Sequence, residues 1–268
     1  MPGVPDQLYV RARAALLDAL VALEPHIDAV ILVGAQAIYL HTGDGDLSVA
    51  VYTTDADFSI SPGDLMDTPL LGDLLTESGF VAQLDAGRWL SPDGIYLDLM
   101  APEALSGAGR RGARLGAHGN RVARRVKGLE GALIDRQRSV ITSLDPADRR
   151  AIAMWVAGPG ALLVAKIHKI GERIGDASRV RDKDALDVLR LLRSVDTTSM
   201  AERIDLLLTS DVALTVTIEA IDMLAEYFGR TAAEGIAMAV RSAGSSERPE
   251  TISESLVALV DDLLRTLA

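Results

Sequence analysis

The chain contains no cysteine, which excludes disulfide bonds, thiolate metal sites and cysteine nucleophiles. It also lacks any run close to the ~18 consecutive apolar residues that a membrane helix requires. The segment from Met1 to Tyr9 contains two prolines and an aspartate, where a signal peptide needs a basic start and an apolar run. We therefore expect a cytoplasmic protein with no membrane partner.

Positive charge and aromatic residues are also scarce. The net charge of the 268 residues is -11, so any contact with nucleic acid must come from a local patch. One segment, Arg110 to Lys127, carries seven arginines or lysines and no acidic residue. It is either a solvated, glycine-loosened connector or a surface that binds the phosphates of a nucleotide or an RNA backbone. It contains no aromatic residue, so base stacking on it is not expected.

The hydrophobic pattern changes character along the chain. Short strand-like runs occur in the first half, and amphipathic helical patterns fill the second. The predicted strands are Ala29 to Val33, Thr54 to Ile60, Phe80 to Leu84, Arg88 to Leu90, Ile95 to Met100 and Ala151 to Val156, and the last predicted helix is Ser253 to Leu267, capped by Ser253. We therefore predict an α/β (α+β) chain, with an α/β domain over residues 1–157 and a helical domain over 158–268 that completes the site.

Two carboxylates stand side by side on one predicted strand. In Thr54 to Ile60 the apolar side chains alternate toward the core, so Asp55 and Asp57 project together from the other face. Asp98 is a third strand carboxylate. Such a group favours Mg²⁺ or Mn²⁺, and two ions ~3.5 to 4 Å apart would bridge the attacking and leaving oxygens of a phosphoryl transfer. The alternative is that all three carboxylates have only a structural role and bind no metal ion.

A phosphate site is suggested by two further features. Gly34 and Ala35 end a buried strand and open a helix, where backbone N–H groups favour a bound phosphate. In the predicted helix Ala161 to Ile174, Lys166, Lys169 and Arg173 recur at helical spacing, and Asp184 and Asp187 do so on the next helix, Arg181 to Ser194. The cations would either face a cleft, held by the acidic pair, or form a solvated face.

These motifs occur in an order that resembles a known superfamily. The strand, Gly34-Ala35, helix, then T-x-D-x-D at Thr53, Asp55 and Asp57, followed by Asp98, resembles the DNA polymerase beta-like nucleotidyltransferases. The segments LLVAKIHKIGER and RDKDALDVLRLL resemble the basic helix and the D-x-x-D helix of the AbiEii and MenT types, several of which are toxins of toxin–antitoxin systems. The likeness covers Ala29 to Arg193 and is specific because the motifs occur jointly.

The resemblance implies a nucleotidyltransferase-type mixed sheet with flanking helices, and it implies a role for each motif residue. By resemblance, Asp55 and Asp57 are metal ligands and Asp98 is a candidate third acid that assists the incoming hydroxyl. Lys166, with Lys169 or Arg173, holds the triphosphate, and Gly34, Ala35 and Thr53 belong to the nucleotide site. Asp184 and Asp187 complete that site. The chain departs from the family pattern at Ala35, where the family commonly has glycine or serine, and at Val51, where it often has arginine. These departures lower the predicted affinity for nucleotide but leave the metal residues in place.

The function expected from the resemblance is Mg²⁺-dependent (or Mn²⁺-dependent) transfer of a nucleoside monophosphate from an NTP to an acceptor. The basic segment favours RNA or tRNA as the acceptor, while the overall acidity favours a small cationic molecule of the aminoglycoside type. A toxin role would add an antitoxin protein as a partner. The alternative from a different class is a non-catalytic nucleotide-binding module that regulates another protein.

Overall fold

The computed structural model describes residues 7–43, 53–174 and 182–268. The predictions that concern Val51 and Arg181 lie outside the described residues. The fold is mixed α/β: an eight-stranded mixed sheet occupies the first part of the chain, and the second part is helical. This confirms the predicted fold class.

The sheet is ordered β3-β4-β5-β2-β1-β8-β7, with β6 beside the second half of β5. Its strands are β1 (Val30–Val33), β2 (Asp55–Ile60), β3 (Val81–Ala82), β4 (Arg88–Leu90), β5 (Tyr96–Pro102), β6 (Arg124–Val126), β7 (Arg136–Thr142) and β8 (Ala151–Ala157). The central strand β2 pairs antiparallel with β1 and parallel with β5. The two strands that carry the aspartates are therefore neighbours inside the sheet.

The pairing register aligns charged residues in one row across the sheet. Asp57 lies opposite Asp98, and Asp98 lies opposite Arg88 on the next strand. Residues that are opposite one another in a sheet point to the same face, so these three side chains are close together. On the other side of Asp57 the row meets Val33, the last residue of β1. Ala56, Phe58 and Ile60 are fully buried, as the alternation predicts.

Nine α-helices lie within the described residues. They are α1 (Gln7–Ala22), α2 (Gly34–Thr42), α3 (Leu71–Glu77), α4 (Pro159–Gly171), α5 (Lys183–Ser194), α6 (Thr197–Leu208), α7 (Leu214–Phe228), α8 (Glu234–Ala243) and α9 (Pro249–Thr266). None of them has both the length and the apolar character that crossing a bilayer demands. The helix α2 packs against α4 and α5, which brings the glycine turn to the cationic helix.

The start of α4 is fixed by a buried carboxylate that the sequence does not flag. Gly158 caps this helix, and Pro159 takes the first helical position, where its missing N–H costs nothing. The carboxylate of Asp135 accepts a hydrogen bond from the Ala161 N–H at 3.0 Å and from Arg203 at 2.6 Å. Negative charge is favourable at a helix N-terminus. Asp135 therefore stabilises the start of the helix that carries Lys166.

The structure corrects several predicted boundaries. The helix α4 ends at Gly171, so Arg173 lies just beyond it rather than within it. The last helix begins at Pro249, and the Ser253 hydroxyl donates back to the Pro249 carbonyl, so Ser253 is not its cap. The strands β6 and β7 were not predicted. Their sequences, RRV and RQRSVIT, are rich in polar residues and so lack the pattern of a buried strand. The strand β6 is short, and β7 is an edge strand with much of its surface exposed.

One continuous core joins the two predicted parts. It contains residues of the sheet, such as Phe58 and Leu99, together with residues of the later helices, such as Leu163 and Leu189. The helical part therefore shares its core with the sheet. This continuity fixes the helices α4 and α5 in position relative to the aspartates on β2.

Candidate functional site

A small cavity of about 90 Å³ lies between the sheet and α4. It is bounded by residues from both halves of the chain, including Gly34, Asp57, Arg124, Lys166, Lys169 and Arg173. Five of these six residues are predicted site residues. A cavity needs about 10 to 15 Å³ to hold one water, so this one has room for several.

The carboxylate of Asp57 packs directly against Gly34. A Cβ atom built on Gly34 would lie 2.2 Å from Oδ2 of Asp57, and the backbone of Gly34 has a φ of +71°, in the left-handed region. Any other residue would meet both the strain of that conformation and the carboxylate. The glycine of the turn is thus required by its contact with the aspartate, in addition to any contact with phosphate.

Asp55 is held in its ionised form. The Thr53 hydroxyl, fully buried, donates to its Oδ1 at 2.6 Å. Burial opposes the charge, but the hydrogen bond from Thr53 and the positive charges of Lys183, Lys169 and Lys166 together bring the pKa of Asp55 below its ordinary value. Thr53 therefore acts on the aspartate and does not line the cavity.

Asp57 has the opposite tendency. Burial raises its pKa to about 7, and the neighbouring carboxylates of Asp55 and Asp98 add to the increase, while Lys169 and Arg124 oppose it. At neutral pH Asp57 is thus partly protonated, whereas Asp55 is ionised. Negative charge at Asp57 is incompletely balanced by the protein.

Three cations share the acidic pair of α5. Lys166 is buried and donates to Asp184 at 2.8 Å and to Asp187 at 2.6 Å. Asp184 also accepts from Arg173 at 2.9 Å and lies 3.3 Å from Lys169. The structure therefore agrees with the expectation that the acidic pair holds the basic residues.

These ion pairs set the protonation of the cluster. Burial opposes the charge of Lys166, but Asp184 and Asp187 raise its pKa above the ordinary lysine value. Burial likewise opposes ionisation of Asp184, but the lysines beside it hold its pKa well below its usual range. Burial and the charge of Lys166 lower the pKa of Lys169. Of the two lysines, Lys169 is consequently the one whose charge the protein stabilises less.

Asp98 belongs to a second cavity that adjoins the first. This cavity has a volume of about 650 Å³ and is lined by arginines and carboxylates, and Arg124 and Glu172 form part of both walls. Asp98 lies 3.6 Å from Arg88 and 3.5 Å from Arg124. Four arginines of the predicted basic segment, namely Arg110, Arg111, Arg124 and Arg125, line this larger cavity.

The predicted site residues thus fall into groups. Gly34, Asp57, Lys166, Lys169 and Arg173 line the small cavity. Asp98 lines the large one, and Asp55, Thr53, Asp184 and Asp187 stand behind the lining residues and set their charge or position. Ala35 is buried and lines neither cavity.

Sequence reasoning did not single out Arg88, Arg124 or Glu172 as members of the site. Arg124 was only one of seven cations in a segment of unassigned structure, and it is placed beside Asp98 because β6 pairs with β5. Arg88 is brought to Asp98 by the antiparallel pairing of β4 with β5. The turn at Ser91 to Gly94 between these strands was the available signal, since a hairpin register aligns the two residues.

The donor set partly fits a divalent metal ion. Carboxylate oxygens are the ligands that Mg²⁺ and Mn²⁺ prefer, and a cation would relieve the repulsion that raises the pKa of Asp57. Asp98 is engaged by two arginines instead. Across residues 7–43, 53–174 and 182–268, no group of three or more His, Asp or Glu side chains is arranged to hold a metal ion. The pair of Asp55 and Asp57 fits such an ion, and a set of three carboxylates is not formed.

No family model matches the chain, and no curated protein or solved structure matches it either. The likeness to nucleotidyltransferases therefore rests on the ordered motifs of the sequence and stays a prediction. The function has to be argued from the geometry of the two cavities.

The contact between Gly34 and Asp57 predicts a difference between substitutions of two glycines, Gly34 at the start of α2 and Gly43 just after its end. Gly34→Ala and Gly43→Ala both place a side chain at positive φ, but no atom of the described residues lies within 4 Å of a Cβ at Gly43. Strain alone should cost Gly43→Ala about 1 to 3 kcal/mol of unfolding free energy. Gly34→Ala should lose about 2 to 5 kcal/mol because it also displaces Asp57. Urea denaturation measures both values, and equal losses would contradict the predicted steric role of the contact.

The pKa of Asp57 predicts how stability depends on pH without metal. Its folded-state pKa of about 7 exceeds that of an unfolded aspartate, so the folded protein holds a proton that the unfolded chain has lost. The free energy of unfolding should therefore fall as the pH rises from about 4 to about 7. Asp57→Asn should remove this part of the dependence, whereas Asn at the exposed Asp211 should leave it unchanged. Urea denaturation in EDTA at pH 5 and pH 8 tests this, and an unaltered difference in Asp57→Asn would refute it.

Proposed function

We propose that the protein is a metal-dependent nucleotidyltransferase, which transfers a nucleoside monophosphate from an NTP to an acceptor and releases pyrophosphate. The observation that carries the proposal is the small cavity, where the carboxylate of Asp57 faces Lys166, Lys169 and Arg173. An acidic wall opposite a basic wall suits a metal ion and a phosphate bound between them. The order of the motifs along the sequence supports the same reaction.

The residues of this chain would act mainly by positioning and by balancing charge. Phosphoryl transfer needs little covalent chemistry from the protein, because its transition state carries charge on oxygens that the site must neutralise. Asp55 and Asp57 would hold Mg²⁺ or Mn²⁺, which when bound supplies positive charge to the phosphate oxygens. Lys169 and Arg173 would contact the phosphates from α4 and the turn after it.

Lys166 would serve the phosphates without moving away from its partners. Its ammonium group has three donors, and two of them are used by Asp184 and Asp187. One donor is left for a phosphate oxygen, since Lys166 itself lines the cavity. The acidic pair would thereby keep the lysine charged and pointed at the substrate.

The larger cavity is the proposed place of the acceptor. Asp98 lines it and is the neighbour of Asp57 across the sheet, so a hydroxyl bound there would approach the reaction centre from the Asp98 side. Asp98 lies beside Arg88 and Arg124, and a carboxylate at this position could accept the proton of the attacking hydroxyl. Arg110 and Arg111 lie at the exposed part of its wall and favour an acceptor that carries phosphates, such as RNA.

A non-catalytic nucleotide-binding module is the second candidate function. It is favoured by the ion pairs that Asp184 makes with Lys166, Lys169 and Arg173, since cations already paired with a carboxylate bind phosphate less strongly than unpaired ones do. The two candidates differ in one observable, because only the enzyme transfers label from the α-phosphate of an NTP.

A transfer assay tests the proposed activity. Purified protein with Mg²⁺ and each α-labelled NTP should label total RNA, and Asp55→Ala and Asp57→Ala should abolish the labelling because they remove the metal-binding carboxylates. Asp211→Asn, a change of an exposed aspartate away from both cavities, is the matched control and should label normally. Parallel reactions replace RNA with an aminoglycoside or omit the acceptor.

Each result of the assay has one meaning for the proposal. Label in the aminoglycoside alone would keep the enzyme and replace its acceptor. A rise in melting temperature with Mg²⁺ and NTP, without transfer to any acceptor, would favour the binding module. Transfer that survives both alanine substitutions would overturn the proposed metal site.

The arginines of the large cavity predict a separable effect on acceptor binding. The double variant Arg110→Ala, Arg111→Ala should raise the KM for RNA and leave kcat unchanged, because neither residue lines the small cavity. Loss of phosphate contacts should also reduce the salt dependence of RNA binding, by about 1 in the log–log slope for each contact. Arg230→Ala, at an exposed position on neither cavity wall, is the control. An unchanged salt slope in the double variant would contradict the assigned contact.

A further inference from the structure

The helix α1 carries a buried arginine, Arg13, that has no role in the proposed reaction. Arg13 is 3% exposed and donates to Oε1 of Gln36 at 2.8 Å, to the Thr142 carbonyl at 3.0 Å and to the Tyr9 hydroxyl at 3.1 Å. All three acceptors are uncharged, and Arg13 makes no ion pair with any residue that the structure describes. Burying a guanidinium without a carboxylate is costly, so the contact it makes needs an explanation.

Arg13 determines the orientation of the Gln36 amide. A guanidinium has only donors, so the side-chain oxygen of Gln36 must face it and the NH₂ group must face the other way. That NH₂ group donates to the main-chain carbonyl of Asp55 at 3.1 Å. Gln36 is 1% exposed, so neither contact can be replaced by bulk water. Glutamate at this position would satisfy Arg13 but offer no donor to Asp55.

The carbonyl of Asp55 lies beyond the point where β1 stops forming main-chain hydrogen bonds to β2. The pairing of β1 with β2 ends at Val33 and Asp57, because the chain leaves the sheet at Gly34 to form α2. Asp55 lies beyond that last pair. Gln36, on the first turn of α2, supplies a donor to the strand after the ladder has stopped, while Thr53 fixes the carboxylate of the same residue.

We infer that Arg13 and Gln36 form a buried brace that fixes the main chain at Asp55, which makes Gln36 a positioning residue for the carboxylate pair. The inference rests on the proposed function, since it assigns the pair to metal binding. The brace connects α1, α2, β2 and the end of β7 through one set of hydrogen bonds. Its effect reaches the metal through Asp55, so it should appear in metal affinity as well as in turnover.

The test uses Gln36→Glu, which should separate stability from function. Arg13 gains a carboxylate partner, so the melting temperature should stay constant or rise. The Asp55 carbonyl loses its donor and meets a negative charge instead, so Mn²⁺ affinity, measured by electron paramagnetic resonance of free Mn²⁺, should fall ~10-fold. The kcat should fall by a similar ~10-fold, while the KM for the NTP changes by less than about twofold.

Thr217→Val is the matched control for buried polar groups. Thr217 is fully buried and its hydroxyl donates to the Ala213 carbonyl, away from both cavities. This variant should lower the melting temperature and leave Mn²⁺ affinity and kcat unchanged. Gln36→Met, which keeps the approximate shape but has no donor and only a weak acceptor, should lose stability as Thr217→Val does and lose Mn²⁺ affinity as well.

The outcomes separate the brace from the proposed function. Gln36 variants that bind Mn²⁺ and turn over like the wild type overturn the brace and leave the function intact. A wild-type protein that binds no Mn²⁺ and transfers no nucleotide overturns the function, and the brace with it. Loss of Mn²⁺ affinity in both Gln36 variants, but not in Thr217→Val, supports the brace.

Discussion

The opposition between the carboxylates on β2 and the cations on α4 is the interaction on which the candidate site depends. Asp57 is left with negative charge that the protein balances incompletely, whereas Lys166 is held by two carboxylates of its own. The cavity between them therefore has an electron-rich wall and a cationic wall within a low-dielectric environment, where charge interactions are stronger than in water. A bound metal and phosphate would complete this charge distribution.

Much of the site follows from local sequence patterns. Alternation in β2 gives the common face of Asp55 and Asp57, and helical spacing gives Lys166 and Lys169 on one side of α4. The glycine at the end of a buried run gives the turn into α2. These features depend only on neighbours along the chain, so the sequence predicts them. Helical spacing likewise predicts that the carboxylates of α5 form a pair able to hold the cations of α4.

The remaining features depend on register and on long-range pairing, which a single sequence does not reveal. Arg88 and Arg124 reach Asp98 only through the pairing of β4 and β6 with β5. As a result Asp98 has cationic partners where a free metal ligand was expected. The burial of Arg13 is not predicted, because an arginine on an amphipathic helix is usually solvated. The predicted boundary at residue 157 marks a change from strands to helices, and the hydrophobic core that extends across it cannot be read from that change.

The anchoring of α4 by Asp135 and Arg203 has a consequence for synthesis of the chain. Asp55 and Asp57 are translated long before Lys166, and the helix carrying Lys166 is fixed at its start by Arg203, which follows later still. A nascent chain that has emerged only as far as β8 holds the aspartates without the cations of the helical half, Lys166, Lys169 and Arg173. Completion of the candidate site thus waits for the helical half to leave the ribosome, and a product truncated after β8 would lack the cationic side of the small cavity.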